Sequence, residues 1–304
     1  MKAFPKGARV CFVGDSLVAS NLPLPRIIDH YNKYLPELDV RFFNCGTSGG
    51  TYRYAIDFFE DDVLSHKPTH MVVAFGINDS ARWLLTSERS ENRLAGLKTA
   101  FEEYKKKVAE YCNLARAHGI ELIICTPAPY DEYTEGDSLP LRGGHSLMLG
   151  YADFIRAYAK EQNIELCDYH EFLSNELEVD KEKIYSSDRI HPTAHGYYLI
   201  AKCFLTHQGL QIDKEAPIPE YFTDWSTQVG RLRVIFGAEQ MIVHNYKMPL
   251  EEKMAMMEEK VRTENWGQPV FERFIRSFVK EKRNQEELYK LIDKLYERDV
   301  HLHT

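Results

Sequence analysis

The chain has 304 residues, of which 44% are hydrophobic and 28% charged, so it can bury a large core without disulfides or structural metals. Its formal net charge of −8 argues against a dedicated nucleic-acid binder and gives no attraction to anionic membranes. Six widely spaced cysteines indicate reduced structural thiols rather than a disulfide framework. No segment approaches the roughly 20 apolar residues of a membrane span, and residues 1–7 lack a signal-peptide pattern, so a cytoplasmic protein is expected.

Short apolar segments alternate with helical patterns through the first two thirds of the chain. The predicted strands are residues 9–13, 40–45, 70–75, 120–125 and 165–167. The predicted helices are residues 27–34, 54–64, 95–118, 151–162 and 193–205. This alternation is typical of a parallel sheet covered by helices on both faces. In such sheets the ligand crevice lies beyond the carboxyl ends of the strands.

The pattern changes after about residue 208. Ala216-Pro217-Ile218-Pro219 is typical of a linker, and beyond Met248 apolar residues recur in two helical stripes. We therefore predict one domain over residues 1–210 and a mainly helical extension over residues 211–304. A helical hairpin packed on the core, a dimerisation element and a pocket cover are the alternatives for this extension.

A serine directly follows the first predicted strand, in the motif Gly14-Asp15-Ser16-Leu17. That position presents Ser16 to the crevice, although Ser or Asp there could equally cap a helix. A serine hydroxyl needs a positioned base to act as a nucleophile. His191 is the candidate base, because Asp188 lies three residues before it and can reach Nδ1 of the imidazole. The alternative is a surface loop that contains an incidental acid and histidine.

Donors for a developing oxyanion follow the next two strands. Gly49 offers an unobstructed backbone N–H after the second strand, and Asn78 offers a side-chain amide after the third. The backbone N–H of Ser16 is a third candidate. A simple turn at Gly49 and a turn or helix cap at Asn78 are the structural alternatives.

Together these motifs resemble the SGNH, or GDSL, hydrolase family. The resembling blocks are Gly14-Asp15-Ser16-Leu17, Asn44-Cys45-Gly46-Thr47-Ser48-Gly49, Gly76-Ile77-Asn78-Asp79 and Asp188-Arg189-Ile190-His191-Pro192. The resemblance covers roughly residues 8–207 and implies a three-layer α/β/α, flavodoxin-like sandwich with a central, mostly parallel sheet. It also implies a carboxylic ester hydrolase with Ser16, Asp188 and His191 as triad and Ser16, Gly49 and Asn78 as oxyanion hole.

Two further patterns compete with this interpretation. Gly46-Thr47-Ser48-Gly49-Gly50 matches the nucleophile elbow of α/β-hydrolases, but that elbow normally follows several strands and only about two precede Ser48. His191 and His195 have the i, i+4 spacing of zinc ligands on a helix, but the sequence offers no evident third ligand. We therefore expect Ser16 as the nucleophile, with no metal and no cofactor.

The substrate is predicted from the long polar segment of residues 128–146 and from Trp83, shortly after Asn78, which could offer a stacking face. The candidate substrate-pocket residues are Asp15, Trp83, Tyr130, Arg142 and His145. We expect hydrolysis of short-chain, chiefly acetyl, esters of carbohydrates. The alternatives are an acyltransferase, a lipase or thioesterase acting on longer chains, and a non-catalytic scaffold. The expected partner is a small-molecule ester, with no nucleic acid and no membrane span, and with homo-oligomers formed through the C-terminal helices.

Overall fold

The computed structural model describes residues 3–20, 22–85, 91–133, 141–179 and 184–210. The linker and the helical stripes predicted for residues 211–304 lie outside these residues, so the domain division stays a prediction. None of the helices in the described ranges is long and apolar enough to cross a membrane.

Five parallel strands form the central sheet. They are β1 (Arg9–Gly14), β2 (Arg41–Gly46), β3 (His70–Ala74), β4 (Glu121–Cys125) and β5 (Glu165–Cys167). Their order is β2-β1-β3-β4-β5, and every neighbouring pair is parallel. This is the flavodoxin-like order of a doubly wound sheet, which confirms the predicted fold class. The order reverses between β1 and β3, so the ligand crevice of such a sheet lies at their carboxyl ends.

Eight α-helices connect and cover the strands within the described residues. They are α1 (Ser16–Ala19), α2 (Leu24–Tyr34), α3 (Tyr52–Asp57), α4 (Phe59–Asp62), α5 (Glu91–Ala117), α6 (Gly144–Glu161), α7 (Tyr169–Val179) and α8 (Ala194–His207). Short 3-10 turns occupy Pro36–Leu38, Leu64–His66 and Arg82–Leu84. Helices α2 and α7 pack against α8, and α3 packs against α5, which forms the two outer layers of the sandwich.

Each face of the sheet buries its own aromatic cluster. Phe12 of β1 meets Phe204 of α8 with ring centroids 5.1 Å apart, which joins the sheet to the α2 and α8 layer. On the other side, Tyr104 of α5 lies 5.5 Å from Tyr52 of α3 and 4.5 Å from Tyr151 of α6. Aromatic pairs at such separations add about 0.5–1.5 kcal/mol beyond the burial of their area. The two clusters therefore fix the loops at the strand ends from both sides.

The predicted helix over residues 54–64 is broken in the structure. It divides into α3, α4 and the 3-10 turn, because the backbone leaves helical geometry at Phe58. Phe58 and Phe59 are both buried, the first against Tyr54 and the second against Tyr111. A continuous helix would point consecutive side chains about 100° apart, so burying both rings favours the break.

Several helices differ from the prediction, and α6 and α7 show the physical reasons. The sequence analysis missed α7, whose first turn is capped by Asp168 accepting a hydrogen bond from Glu171 N at 3.0 Å. Helix α6 begins seven residues before the predicted start, because the Glu132 carboxylate accepts hydrogen bonds from Gly143 N and His145 N. In α6 the capping carboxylate comes from another part of the chain, which a local pattern does not contain.

Candidate active site

Ser16 is the first residue of α1, directly beyond the carboxyl end of β1. The Asp15 carboxylate accepts a hydrogen bond from Leu17 N at 3.0 Å and thereby caps this short helix. Backbone N–H groups in the first turn of a helix have no acceptor within the helix, so the Ser16 N–H stays available. The two interpretations of this motif, a helix cap and a serine presented at the crevice, therefore both hold: Asp15 is the cap, and Ser16 is presented at the crevice.

Helix α1 sits on the end of β2 through two residues of the second motif. Asn44 Nδ2 donates to Val18 O at 2.9 Å, while Asn44 Oδ1 accepts from Gly46 N at 2.9 Å. A Cβ on Gly46 would lie 2.3 Å from Ala19 N, so only glycine permits this approach. Asn44 was not among the predicted site residues, although a polar side chain inside a buried strand is the signal that could have identified it.

The structure brings Ser16, His191 and Asp188 together from opposite ends of the domain. Ser16 Oγ lies 2.7 Å from His191 Nε2, and His191 Nδ1 lies 2.5 Å from Asp188 Oδ2. Both separations are within hydrogen-bonding distance, and the imidazole stands between hydroxyl and carboxylate. Ser48, by contrast, is exposed, and the contacts described for the His191 ring do not include it.

The loop that carries Asp188 and His191 is closed by its own backbone. Tyr185 and Pro192 form an antiparallel bridge, and Arg189 adopts a left-handed conformation with φ of 68°. Partial burial opposes the charge of Asp188, but hydrogen bonds from the His191 ring and from nearby backbone N–H groups outweigh it and lower the pKa of Asp188 well below its usual value. The carboxylate is therefore ionised at neutral pH and opposite the imidazole.

Gly49 and Asn78 lie on loops that are tied to each other. Asn78 Nδ2 donates to Gly50 O at 3.1 Å, and Tyr52 N donates to Asp79 Oδ1 at 3.0 Å. An amide NH₂ carries two hydrogens, so Asn78 keeps one that can be donated to a ligand. Gly49 is exposed with φ of 72°, a conformation that favours glycine. Asp79 is a second residue that the sequence analysis did not include in the site.

The model of the GDSL-like lipase/acylhydrolase family matches residues 12–199, which include Ser16 and His191. The chain belongs to this family. It is a GDSL esterase, a carboxylic ester hydrolase, and its recognition from the sequence is confirmed.

Similar proteins agree with this assignment. An acetylxylan esterase of Geobacillus stearothermophilus is 24% identical to this GDSL esterase over 220 residues, which cover 67% of this chain and 95% of that protein. A crystal structure of an acetylxylan esterase from the same organism has a TM-score of 0.57 at 23% identity, covering 70% of this chain and 100% of that chain. A gut microbial diltiazem-metabolizing enzyme has a TM-score of 0.78 at 14% identity, covering 99% of this chain and 97% of that chain. The two structures share the fold with the GDSL esterase.

An apolar cavity lies under the crevice of the GDSL esterase. Its volume is about 750 Å³, which includes space open to solvent. Leu17 and Ile190 line it. Leu17 directly follows Ser16, and Ile190 directly precedes His191. Asp15 contributes a carboxyl group to a lining that is otherwise mainly apolar. The other lining residues include Pro23, Leu24, Ile77, Pro127 and Ile200.

Two carboxyl groups are buried beside this cavity and the Asn78 loop. Burial raises the pKa of Asp15 to about 6, against the opposing effects of the Leu17 N–H, His191 and Arg82. Burial also raises the pKa of Asp79 to about 7, and the neighbouring Asp15 charge adds to the shift. Both groups therefore bind protons more tightly than exposed aspartates do.

The predicted substrate-pocket residues are dispersed. Tyr130 is buried, and its hydroxyl accepts a hydrogen bond from Leu141 N at 3.0 Å. The His145 ring lies 5.6 Å from the ring of His170, while Arg142 is exposed and Trp83 is 60% exposed. Of the five predicted residues, Asp15 lines the cavity, and Trp83 lies on the turn that follows the Asn78 loop. The roles of all five stay predictions.

Proposed function

We propose that this GDSL esterase hydrolyses short-chain acyl esters, acetyl esters above all, with Ser16 as nucleophile. The observation that carries the proposal is the pair of hydrogen bonds through His191, 2.7 Å to Ser16 Oγ and 2.5 Å to Asp188 Oδ2. A serine between a strand end and a helix, with a base and a carboxylate in this order, has the arrangement that acyl transfer requires.

The proposed reaction proceeds through an acyl-enzyme. His191 Nε2 removes the hydroxyl proton as Ser16 Oγ attacks the ester carbonyl, and Asp188 stabilises the imidazolium that forms. The N–H groups of Ser16 and Gly49 and the Asn78 amide donate to the oxyanion, each contributing about 2.7–4 kcal/mol to transition-state stabilisation. His191 then protonates the leaving alcohol, and water releases the acid by the same steps in reverse order.

We propose a carbohydrate as the alcohol part of the substrate. The similarity to an acetylxylan esterase over 95% of that protein's length supports this choice. It implies an acetyl group on a polar alcohol rather than a lipid ester at a membrane surface. Neither a metal nor an organic cofactor takes part in the proposed reaction. A cytoplasmic location and oligomerisation through residues 211–304 are retained as predictions.

A second candidate is hydrolysis of longer acyl chains. It is favoured by the apolar cavity, because Leu17 and Ile190 connect its lining to the neighbourhood of the proposed nucleophile and base. An aliphatic chain in this cavity would gain about 0.8 kcal/mol for each CH₂ group it buries. The dependence of the rate on chain length separates the two candidates.

The test is hydrolysis of p-nitrophenyl esters from acetate to palmitate, together with acetate release from acetylated xylo-oligosaccharides. We expect the highest kcat/KM on acetate, loss of activity in Ser16→Ala and full activity in Ser48→Ala. Activity that survives Ser16→Ala would disprove the proposed mechanism, and a maximum at long chains would favour the second candidate.

A further inference from the structure

Arg82 stands on the 3-10 turn directly after the Asn78 loop. Its Nη1 donates to Ile77 O at 2.9 Å, which turns the half-buried side chain back toward the carboxyl end of β3. The proposed mechanism gives this side chain no task. Nor does the resemblance to the family, because Arg82 lies outside the four blocks.

The guanidinium lies near the proposed triad without being paired to it. The charges of Asp15 and Asp188 act on Arg82, and Arg82 in turn acts on Asp15. Across the described ranges, however, Arg82 forms no ion pair, and its hydrogen bond goes to a backbone carbonyl. The charge of Asp188 is already engaged by His191 and by its own loop. Among the described residues, Arg82 therefore has carboxylates nearby but makes no direct ion pair or hydrogen bond with either.

An unpaired cation in this position has a physical cost. Burial lowers the pKa of the Arg82 guanidinium, although an arginine stays charged at neutral pH. A partly desolvated charge without a counter-ion is unfavourable unless a ligand or water completes its hydrogen bonds. The planar guanidinium presents donors that match a carboxylate in a bidentate geometry.

We propose that Arg82 binds a carboxylate on the alcohol part of the substrate, so that the enzyme prefers acetylated acidic sugars, such as uronic acids, over neutral ones. This inference rests on the proposed deacetylation of carbohydrates. An acetyl group carries no ionisable group, so the carboxylate must belong to the sugar. One guanidinium matches a single negative charge, which favours a carboxylate over a doubly charged phosphate.

The neighbouring Trp83 fits the same class of ligand. Its side chain is 60% exposed, which is uncommon for an indole. An exposed indole offers an apolar face on which a sugar ring can stack, while the adjacent arginine meets the charged substituent. The residues that follow the Asn78 loop would therefore supply both stacking and charge recognition at one turn.

The experiment compares two substrates that differ at one carbon, an acetylated methyl glucuronoside and the matching acetylated methyl glucoside. Acetate release by the full chain gives kcat/KM for each. We expect the wild-type enzyme to prefer the glucuronoside by about 10- to 100-fold, as a half-buried charged hydrogen bond implies. Arg82→Gln should bring this ratio to about one, and Arg82→Lys should retain part of it. Added NaCl should lower the wild-type ratio, because salt screens the attraction.

Arg53→Gln is the matched control, because Arg53 is an exposed arginine of α3 that pairs with Asp57. Its substrate ratio should equal that of the wild type. A wild-type ratio near one, or a ratio that persists in Arg82→Gln, would overturn the inference while deacetylation of the glucoside upholds the proposed function. An equal loss on both substrates in Arg82→Gln would also overturn it, since Arg82 would then support folding or the oxyanion rather than recognition. Failure on both substrates in the wild type would remove the proposed function and this inference together.

Discussion

Asp188 and Asp79 are carboxylates near the same crevice, but they lie in opposite surroundings. The Asp188 side chain is 48% exposed and accepts hydrogen bonds from Ser186 Oγ, from two backbone N–H groups and from the His191 ring. Asp79 Oδ1 accepts one hydrogen bond from Tyr52 N, while Asp79 Oδ2 is buried and has no hydrogen-bond partner among the described residues. The pKa of Asp188 is lowered, and that of Asp79 is raised to about 7.

This contrast shows that the number of hydrogen-bond donors, and not closeness to the proposed nucleophile, sets the direction of each pKa shift. Donors around Asp188 outweigh its partial burial, so its ionised form contributes stability at neutral pH that is lost as the pH falls through its folded pKa. Desolvation dominates at Asp79, so its ionised form opposes folding. Asp188, the carboxylate beside His191, is thus ionised at neutral pH, whereas Asp79 resists ionisation.

The largest effect is expected from Asp188→Asn. The amide cannot stabilise an imidazolium and favours the wrong tautomer of His191, so kcat on p-nitrophenyl acetate should fall by about 10³- to 10⁴-fold. The folded state should persist, because the side chain is half exposed. Asp57→Asn, at an exposed carboxylate of α3, is the control and should retain full activity. A loss below tenfold would contradict the role of Asp188.

A smaller effect is expected from Asp79→Asn on stability. The folded pKa of about 7 exceeds the ordinary aspartate value of 3.8, so the wild type loses stability as the pH rises from about 4 to 7. Asparagine keeps an acceptor for Tyr52 N but has no charge. In urea at pH 8, the free energy of unfolding of Asp79→Asn should therefore exceed that of the wild type by about 2–4 kcal/mol, and the two should differ little at pH 4. An identical pH dependence in the two proteins would show that Asp79 ionises freely.

The smallest effect is expected from Asp15→Asn. Its folded pKa of about 6 lies closer to the ordinary aspartate value of 3.8 than that of Asp79 does. Asparagine is as good a helix cap as aspartate, so α1 should persist. In urea at pH 8 we expect the free energy of unfolding of Asp15→Asn to exceed that of the wild type by about 1–3 kcal/mol. This difference should develop as the pH rises from about 4 to 6. A larger gain than in Asp79→Asn would contradict the order of the two pKa shifts.

The double variant Asp15→Asn, Asp79→Asn measures the interaction between the two carboxylates through its free energy of unfolding at pH 8. The two carboxylates repel each other, so removing either charge should reduce the effect of removing the other.

The sequence predicted the strands closely, because apolar segments that alternate with helices leave few other arrangements. It was least successful where distant residues define an element. The start of α6 depends on Glu132, and Asp168, the cap of α7, is held by Arg156 of α6 through a 2.6 Å hydrogen bond from Nε. The break at Phe58 depends on aromatic partners in α3 and α5.

The amino-acid sequence alone determined the local chemistry. His191 lies three positions after Asp188, so one turn suffices to join the carboxylate and the imidazole. The sequence also marked Ser16, Gly49 and Asn78, because each follows a predicted strand. The tertiary structure was needed to show that His191 meets Ser16 across 175 positions of the chain, and that Arg82 donates to Ile77 O rather than to a carboxylate. Such relations depend on strand order and on packing against the sheet, which a local pattern cannot encode because the interacting residues are far apart in the chain.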